Sequence, residues 1–542
     1  MITIHGRFFF SCVLMFIPSI ALAQSGVELS PLEQRVQTLH QRINELVDED
    51  NLLDTLYFAW SDRPYARATL AILIKVAATL NREVTFRENN KCKMDDETVE
   101  SMLQWSDDAI QRVIHAQPTD GFRPHRMKVT WTDVLDGHKV PPLFAFVDGT
   151  KLAPRDPALG DLDLLAVLGQ RAYICSDPSN SATAAFETRA RRAEALGMMV
   201  VDAVPAGTPG RCGSCLLNNR PRWPERGQRV VWMDSRVLVN GDPEFLPGEL
   251  PAVLNDQRGE SVASLLARRA MVRGVTRRPA NASCHWMPQI PGKVHDKQVP
   301  PSTSMWIQAI DGQQLTLMEG WCDVHDTTWP HRPSVFTDPV GAELIANTAL
   351  DFLRLGEFVK AVDANPQVAI VVGRDAFAKD ESSPNSDHLT NSWAAWAASV
   401  WDSLVSRQIR FDVIPRAERE DGFRYNYPVV IPLERPTDGQ TDLLIEKIER
   451  RLAQIEEHVY RLTAREMDGT LARDMFVRVG QTREGKACAG IVNLSNRPRV
   501  LKLRGRPVIG PSRDVISDQQ IPEPDQRLDF APWQVRLLWP VP

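Results

Sequence analysis

The chain has few cysteines for its length, and this scarcity excludes a small disulfide-stapled fold. Only eight cysteines occur among 542 residues, and Cys12 lies in the apolar N-terminal run. The other seven are an odd and sparse set, whereas disulfide-stapled domains are short and dense in cysteine. Cys212 and Cys215 have the spacing of a loop disulfide, of half a metal site or of a redox pair. The sequence leaves these three alternatives open, together with that of free thiols.

The chain also lacks an excess of basic residues, long apolar runs and nucleotide-binding motifs. The net charge is -6 and the pI is about 6.1, which argues against a nucleic-acid partner and against an anionic membrane surface. No later segment approaches the roughly 20 apolar residues of a membrane span. Gly-x-Ser-x-Gly, Gly-x-Gly-x-x-Gly and the P-loop are absent, which disfavours an elbow-type serine hydrolase and a nucleotide enzyme. We therefore expect an uncharged or weakly charged substrate, with no cofactor and no bound metal.

The N-terminus has the three parts of a secretory signal. His5 and Arg7 precede an apolar run from Phe8 to Ile20, and the small-residue stretch ending at Ala23 follows it. Residues 1–23 are predicted to be a signal peptide. The mature protein is accordingly predicted to be exported, either to the periplasm or to the extracellular medium.

Residues 24–135 are predicted to form a helical N-terminal region. Apolar residues recur at spacings of three and four between Leu32 and Leu46, and Ser30 before Pro31 is typical of a helix start. Two further helices are predicted over 65–80 and 95–115. No residue of this region is predicted to take part in chemistry.

Residues 136–362 alternate short apolar strands with helices, the pattern of parallel βαβ units. The clearest strands cover 143–147, 172–175, 198–202, 230–233 and 315–319. This pattern predicts a TIM-type (β/α) barrel. Ligands of such barrels bind at the carboxyl ends of the strands, where Asp148, Asp177 and Asp202 are expected to lie.

Three further segments complete the predicted α/β architecture. Residues 363–440 are predicted to be a second α/β domain with an exposed helix that carries Trp393, Trp396 and Trp401. Residues 441–470 are predicted to be a helical connector. Residues 471–542 contain short alternating strands separated by Gly, Pro, Asn and Asp, which predicts an antiparallel β-sandwich.

Several segments resemble one family of glycoside hydrolases. The stretches 305–310, 353–356 and 368–371, together with Gly490-Ile-Val-Asn-Leu-Ser-Asn-Arg-Pro498 and Leu528-Asp-Phe-Ala-Pro-Trp-Gln-Val535, resemble the clan-A β-galactosidases of the family 42 type. The resemblance implies a carbohydrate substrate and a β-sandwich tail. It also implies that residues 367–435 are a glutamine-amidotransferase-like trimerisation domain without amidotransferase chemistry, and therefore a possible homotrimer.

Hydrolysis of a β-glycoside needs two carboxyl groups, about 5 to 5.5 Å apart when the configuration is retained. Glu319 is predicted to be one of them, because it ends an apolar strand and is followed by Trp321, a surface on which a sugar ring could stack. The family's acid/base follows an asparagine, and the sole Asn-Glu pair of this chain is Asn44-Glu45 in a predicted helix. Glu244 is the predicted partner, with Glu260 and Asp234 as alternatives.

The remaining candidates are predicted to bind the substrate. His285, Trp286, Asp323 and His325 lie near the last predicted strands and could hydrogen-bond sugar hydroxyls or stack on a ring. The resulting hypothesis is an exported β-galactosidase-like glycosidase with a two-carboxylate, retaining mechanism. The alternative is a catalytically weakened relative that binds carbohydrate.

Overall fold

The structure is a computed structural model of the whole chain. The ranges it describes are 29–47, 56, 60–89, 91, 93–119, 142–148, 159–175, 183–205, 228–234, 253–256, 266, 270, 283–286, 299–312, 315–318, 320–321, 324–325, 334–362, 367–372, 392–415, 427–433, 440–455 and 461–541. In these ranges helices and strands alternate, and the predicted mixed α/β class is confirmed.

Three helices come first: α1 (Pro31–Asn44), α2 (Pro64–Glu88) and α3 (Asp96–Ile114). Ser30 and Glu33 form a capping box at the start of α1, and Asp95 caps α3 through the amide of Thr98. Helix α2 is apolar on most of its surface, which is typical of a helix that is covered on several sides. It packs against α1, α3 and the barrel helices.

Seven parallel strands close a barrel in chain order: β1 (Leu143–Asp148), β2 (Ala172–Cys175), β3 (Met199–Pro205), β4 (Gln228–Asp234), β5 (Val253–Asp256), β6 (Ser283–Trp286) and β7 (Leu315–Met318). Strand β1 closes the barrel by pairing with β7, in a register that joins Leu143 to Leu315. The four-residue strand β5 was not predicted, because Val253 and Leu254 alone make too short an apolar run.

Helices cover the outside of the barrel. They are α4 (Leu159–Val167), α5 (Thr183–Ala195), α6 (Pro301–Ile310) and α7 (Pro339–Ala361), the last preceded by a 3-10 turn, η1 (Val335–Thr337). Helix α2 packs against α4, η1 and α7. The predicted N-terminal helices and the barrel consequently share one apolar core, in which each fully buried Leu or Ile contributes about 1.5–3 kcal/mol.

A second, three-stranded parallel sheet follows the barrel. Strand β8 (Val368–Val372) lies between β9 (Phe411–Pro415) and β10 (Val429–Leu433), with α8 (Ser392–Ser406) and α9 (Gln440–Gln454) beside it. The prediction that the Trp-rich helix is exposed is wrong for Trp401, which is 7% exposed and stacks on Phe411 with the ring centroids 5.3 Å apart. The side chains of Trp393 and Trp396 lie outside the described part.

Two antiparallel sheets form the C-terminal sandwich. One contains β11 (Arg461–Glu466), β14 (Arg499–Arg506) and β17 (Leu528–Phe530). The other contains β12 (Met475–Gln481), β13 (Ala487–Asn493), β18 (Val535–Pro540), β15 (Ser512–Asp514) and β16 (Gln519–Ile521). The predicted helical connector over 441–470 is corrected at its end, since residues 461–466 are a strand of the sandwich. In the described ranges, no helix has both the length and the apolar character needed to cross a membrane.

A buried ion cluster joins the barrel, the three-stranded unit and the sandwich. Asp311, at the end of α6, accepts hydrogen bonds from the Nε and Nη2 of Arg478 on β12 at 3.0 and 2.8 Å. Arg410, before β9, donates to the Asp311 backbone carbonyl at 3.3 Å. All three side chains are at most 7% exposed. One carboxylate therefore neutralises charges that come from two other units.

The sandwich also approaches the barrel helices through glycine. A Cβ at Gly480 on β12 would lie 1.7 Å from the carbonyl oxygen of Ala361, at the end of α7. At Gly490 on β13 it would lie 2.8 Å from the Ile310 side chain. The absence of side chains at these two positions lets the sheet lie directly on the ends of α6 and α7.

We expect Asp311→Asn to lower the free energy of unfolding by about 3–5 kcal/mol, because it leaves two buried guanidinium groups without their carboxylate. The control is Arg483→Ala, which breaks an ion pair with Glu357 in which the arginine is 90% exposed. That change should cost less than about 1 kcal/mol. Denaturant titration of both variants measures the difference, and equal losses would contradict the central role of Asp311.

Candidate functional site

The carboxyl ends of the barrel strands carry several polar residues. Asp148, Asp234 and Asp256 are the last residues of β1, β4 and β5. The expectation that Asp202 ends a strand is wrong, because β3 continues to Pro205 and places Asp202 in its middle. Asp177 lies outside the described residues. Three aspartates at one edge thus mark the end of the barrel where ligands of this fold bind.

Polar residues of neighbouring strands occupy one register row. Asp234 pairs with Asp256, Asp256 pairs with His285, and His285 pairs with Leu317. Hydrogen-bonded strands lie about 4.8 Å apart, so the two aspartates start from backbone positions about 5 Å apart and His285 lies about 10 Å from Asp234. Register partners in parallel strands share a face of the sheet. The row therefore places two carboxylic residues and one imidazole on one face of the barrel wall.

The next row along these strands contains Trp286. It pairs with Met318, and Met318 pairs with Phe146. Both Met318 and Phe146 are buried in the core that the barrel shares with its helices. Because successive positions of a strand alternate between its two faces, Trp286 and His285 belong to different rows. Substrate binding by either residue stays a prediction.

Four further predicted residues lie outside the described part of the chain: Glu319, Glu244, Asp323 and Glu260, the alternative second carboxylate. Glu319 comes directly after Met318, the last residue of β7, and Glu244 belongs to the segment between the end of β4 and the start of β5. Both belong to chain segments that begin at the same edge of the barrel as Asp234 and Asp256.

The chain turns sharply after β7 at Gly320. This residue has a φ of 109°, a backbone conformation that favours glycine, and its carbonyl accepts a hydrogen bond from the amide of Val335 at 2.8 Å. That bond ties the start of the loop after β7 to η1. The loop is thereby closed at its base, immediately beyond the position of Glu319.

Trp321 is packed against the helix side of the barrel. Its ring centroid lies 5.1 Å from that of Phe146 and 4.8 Å from that of Phe336. The ammonium group of Lys75 on α2 lies 5.9 Å from the indole centroid and also pairs with Asp161. The described contacts of Trp321 are those of a packing residue, and its predicted role as a sugar platform stays a prediction.

His325 forms a buried pair with a carboxylate of the helical region. Its Nε2 lies 2.7 Å from Oε2 of Glu83, and the two residues are 6% and 0% exposed. Burial lowers the pKa of His325, although Glu83 opposes this effect. An imidazole that carries its hydrogen on Nε2 donates it to the Glu83 carboxylate. The structure describes no sugar-binding surface next to His325. Its predicted role in binding the substrate stays a prediction.

Two residues of interest were not predicted from the sequence. Asp256 ends a strand too short to be recognised, although its alignment with Asp234 follows once β5 is known. The predicted helix stopped at Leu80, and Glu83 lies three residues beyond it. A carboxylate that continues the pattern of an apolar helix is the signal that could have identified Glu83. Among the side chains described, no group of three His, Cys, Asp or Glu is placed to hold a metal ion.

No protein-family model matches the chain, and no curated protein matches it. Solved structures similar to it include the apo exo-carrageenase of glycoside hydrolase family 42 from Bacteroides ovatus, with 10% identity and a TM-score of 0.48, covering 94% of this chain and 99% of that one. A catalytic mutant of Gan42B, a family 42 β-galactosidase from G. stearothermophilus, has 10% identity and a TM-score of 0.38, covering 65% of each chain.

A third similar structure is the β-galactosidase from Bacillus circulans sp. alkalophilus, with 12% identity and a TM-score of 0.34, covering 70% of this chain and 67% of that one. The chain thus spans about two thirds of the length of these β-galactosidases. All three TM-scores lie below 0.5.

We expect Trp321→Ala to lower the free energy of unfolding by about 3 kcal/mol, because it removes the ring that fills the space between Phe146 and Phe336. Trp321→Phe should lose less than half as much, since it keeps an aromatic ring there. Thermal or denaturant unfolding measures both changes. A Trp321→Ala variant with unchanged stability and weakened sugar binding would instead favour the platform role.

Proposed function

We propose that the chain is a glycoside hydrolase that cleaves β-glycosides with two carboxyl groups, one of which is Glu319. The observation that carries this proposal is a closed parallel barrel in which Asp148, Asp234 and Asp256 end three strands at one edge. Sugar hydrolysis needs carboxyl groups at one open end of a scaffold that holds them rigidly. The family resemblance of the sequence makes β-galactosides the first substrates to test.

The position of Glu319 in the chain supports it as the nucleophile. It directly follows the apolar strand Leu315–Met318, whose carboxyl end lies at the same edge of the barrel as Asp234 and Asp256. A carboxylate there would attack the anomeric carbon and form a glycosyl-enzyme, which water then hydrolyses.

The second carboxyl group would protonate the leaving oxygen and later activate water. Glu244, in the segment after β4, is our first candidate. Asp234 and Asp256 are the alternatives, because they end β4 and β5, three and two strands away from β7. A pair of neighbouring carboxylates also raises the pKa of one member by mutual repulsion, which is the state that a general acid requires.

We expect Glu319→Gln to lower turnover of aryl β-glycosides by several orders of magnitude while the melting temperature stays nearly unchanged, since the charge is used only in the transition state. Initial rates and thermal unfolding of the purified variant measure the two quantities. Undiminished turnover would move the nucleophile to another residue. No turnover by the parent protein on β-galactosides, β-glucosides and marine polysaccharides would favour a carbohydrate-binding protein without catalysis.

The second carboxylate can be identified by comparing Glu244→Gln, Asp234→Asn and Asp256→Asn. Loss of the general acid slows substrates with poor leaving groups far more than substrates whose leaving group needs no protonation. The acid/base variant should therefore hydrolyse a dinitrophenyl glycoside much better than an alkyl glycoside. The other two variants should lower both rates by similar factors, and a matched loss in all three would reject these candidates.

We further propose that the protein is exported, because residues 1–23 have the composition of a secretory signal. Cleavage after Ala23 would produce a mature chain that begins at Gln24. Mass spectrometry of the N-terminal peptide from protein secreted by its own cells tests this. A peptide that retains Met1 would contradict export by this route.

A further inference from the structure

The loop after β7 is attached to α2, a helix outside the barrel. Its first described residues are Gly320, Trp321, Val324 and His325. Trp321 contacts Lys75 near the middle of α2, and His325 contacts Glu83 one to two turns before its end. These two contacts are separated by eight residues of α2, about 12 Å along the helix axis. The loop is thus held at two separate points by one rigid element.

Glu83 is the stronger of the two attachments, because it is completely buried and fully engaged. Besides His325, its carboxylate accepts the Arg87 Nε hydrogen at 3.0 Å and the backbone amide hydrogens of Lys93 and Met94 at 3.2 and 3.3 Å. The ring of Phe86 packs on the imidazole of His325 with the centroids 4.7 Å apart. A carboxylate with this many donors has one well-defined position, and it fixes the position of His325 in turn.

The distance between the two catalytic carboxyl groups is the quantity that a glycosidase must hold most closely. In the sequence, Glu319 is six residues before His325 and one before Gly320, and it directly follows β7. We propose that Glu83 and His325 are positioning residues for the proposed nucleophile Glu319, on which they act by joining the loop after β7 to α2. This inference rests on the proposed glycosidase function.

The test compares two substitutions of His325 in the full-length protein. His325→Leu is similar in size and removes the donor, whereas His325→Gln keeps a neutral N–H group near the position of Nε2. We expect His325→Leu to lower kcat by about 10- to 100-fold while KM changes by less than about threefold, as for a misplaced catalytic group. His325→Gln should restore most of kcat. Equal kcat in the parent and His325→Leu would overturn the proposal.

Tyr65→Phe is a matched control on the same helix. It removes the partly buried hydrogen bond that the Tyr65 hydroxyl donates to Asp351 at 2.6 Å. Tyr65 lies at the start of α2, at the opposite end of the helix from Glu83. We expect this variant to lose melting temperature and to keep its kcat. A parallel loss of kcat in Tyr65→Phe would show that any weakening of α2 lowers activity, and this would also overturn the positioning role.

Hydrogen–deuterium exchange of the peptides that cover 315–325 tests the attachment without reference to activity. Exchange in this segment should increase in His325→Leu and stay unchanged in Tyr65→Phe. If the parent protein hydrolyses no glycoside, the proposed function fails, and the exchange result alone decides whether Glu83 and His325 hold the loop. Should His325→Leu fail to fold, Glu83→Gln replaces it, with the same expected changes in exchange and in kcat.

Discussion

The arrangement of the molecule depends on one buried carboxylate, that of Asp311. It ends a barrel helix, it receives two hydrogen bonds from Arg478 of the sandwich, and its backbone carbonyl accepts one from Arg410 of the three-stranded unit. Breaking a buried ion pair is strongly unfavourable, so these contacts favour the orientation that brings all three residues to one point. Gly480 and Gly490 permit that orientation, because a side chain at either position would push the sandwich away from the barrel helices.

Helix α2 has a comparable role beside the barrel. Its apolar surface fills the space between α4 and α7, and three of its polar side chains reach outward to fixed partners. Tyr65 bonds to Asp351, Lys75 approaches Trp321, and Glu83 holds His325. The helical region that precedes the barrel is therefore part of the same core, and it connects the loop after β7 to the rest of the protein.

The proposed chemistry combines these two features. A two-carboxylate mechanism requires groups from different strands to keep a separation of a few ångströms, although they are far apart in sequence. The closed barrel supplies a common edge for Asp234, Asp256 and the position after Met318. The attachment of His325 to α2 supplies a restraint on the one loop that begins at the proposed nucleophile. Such a restraint is needed because strand ends are otherwise the least constrained part of a barrel.

The sequence alone determined what depends on local spacing. Helical periodicity predicted α1, α2 and α3, apolar runs predicted most barrel strands, and the position of Glu319 after Leu315-Thr-Leu-Met318 suggested a catalytic carboxylate. Only the tertiary structure decided what depends on pairing between distant segments. It aligned Asp256 with Asp234 and His285, extended β3 past Asp202, buried Trp401 on Phe411, and brought Glu83 to His325 across 242 residues. A local sequence pattern reflects the period of one helix or strand. Strand register and side-chain burial are set by contacts with distant segments, and a local pattern does not show which segments these are.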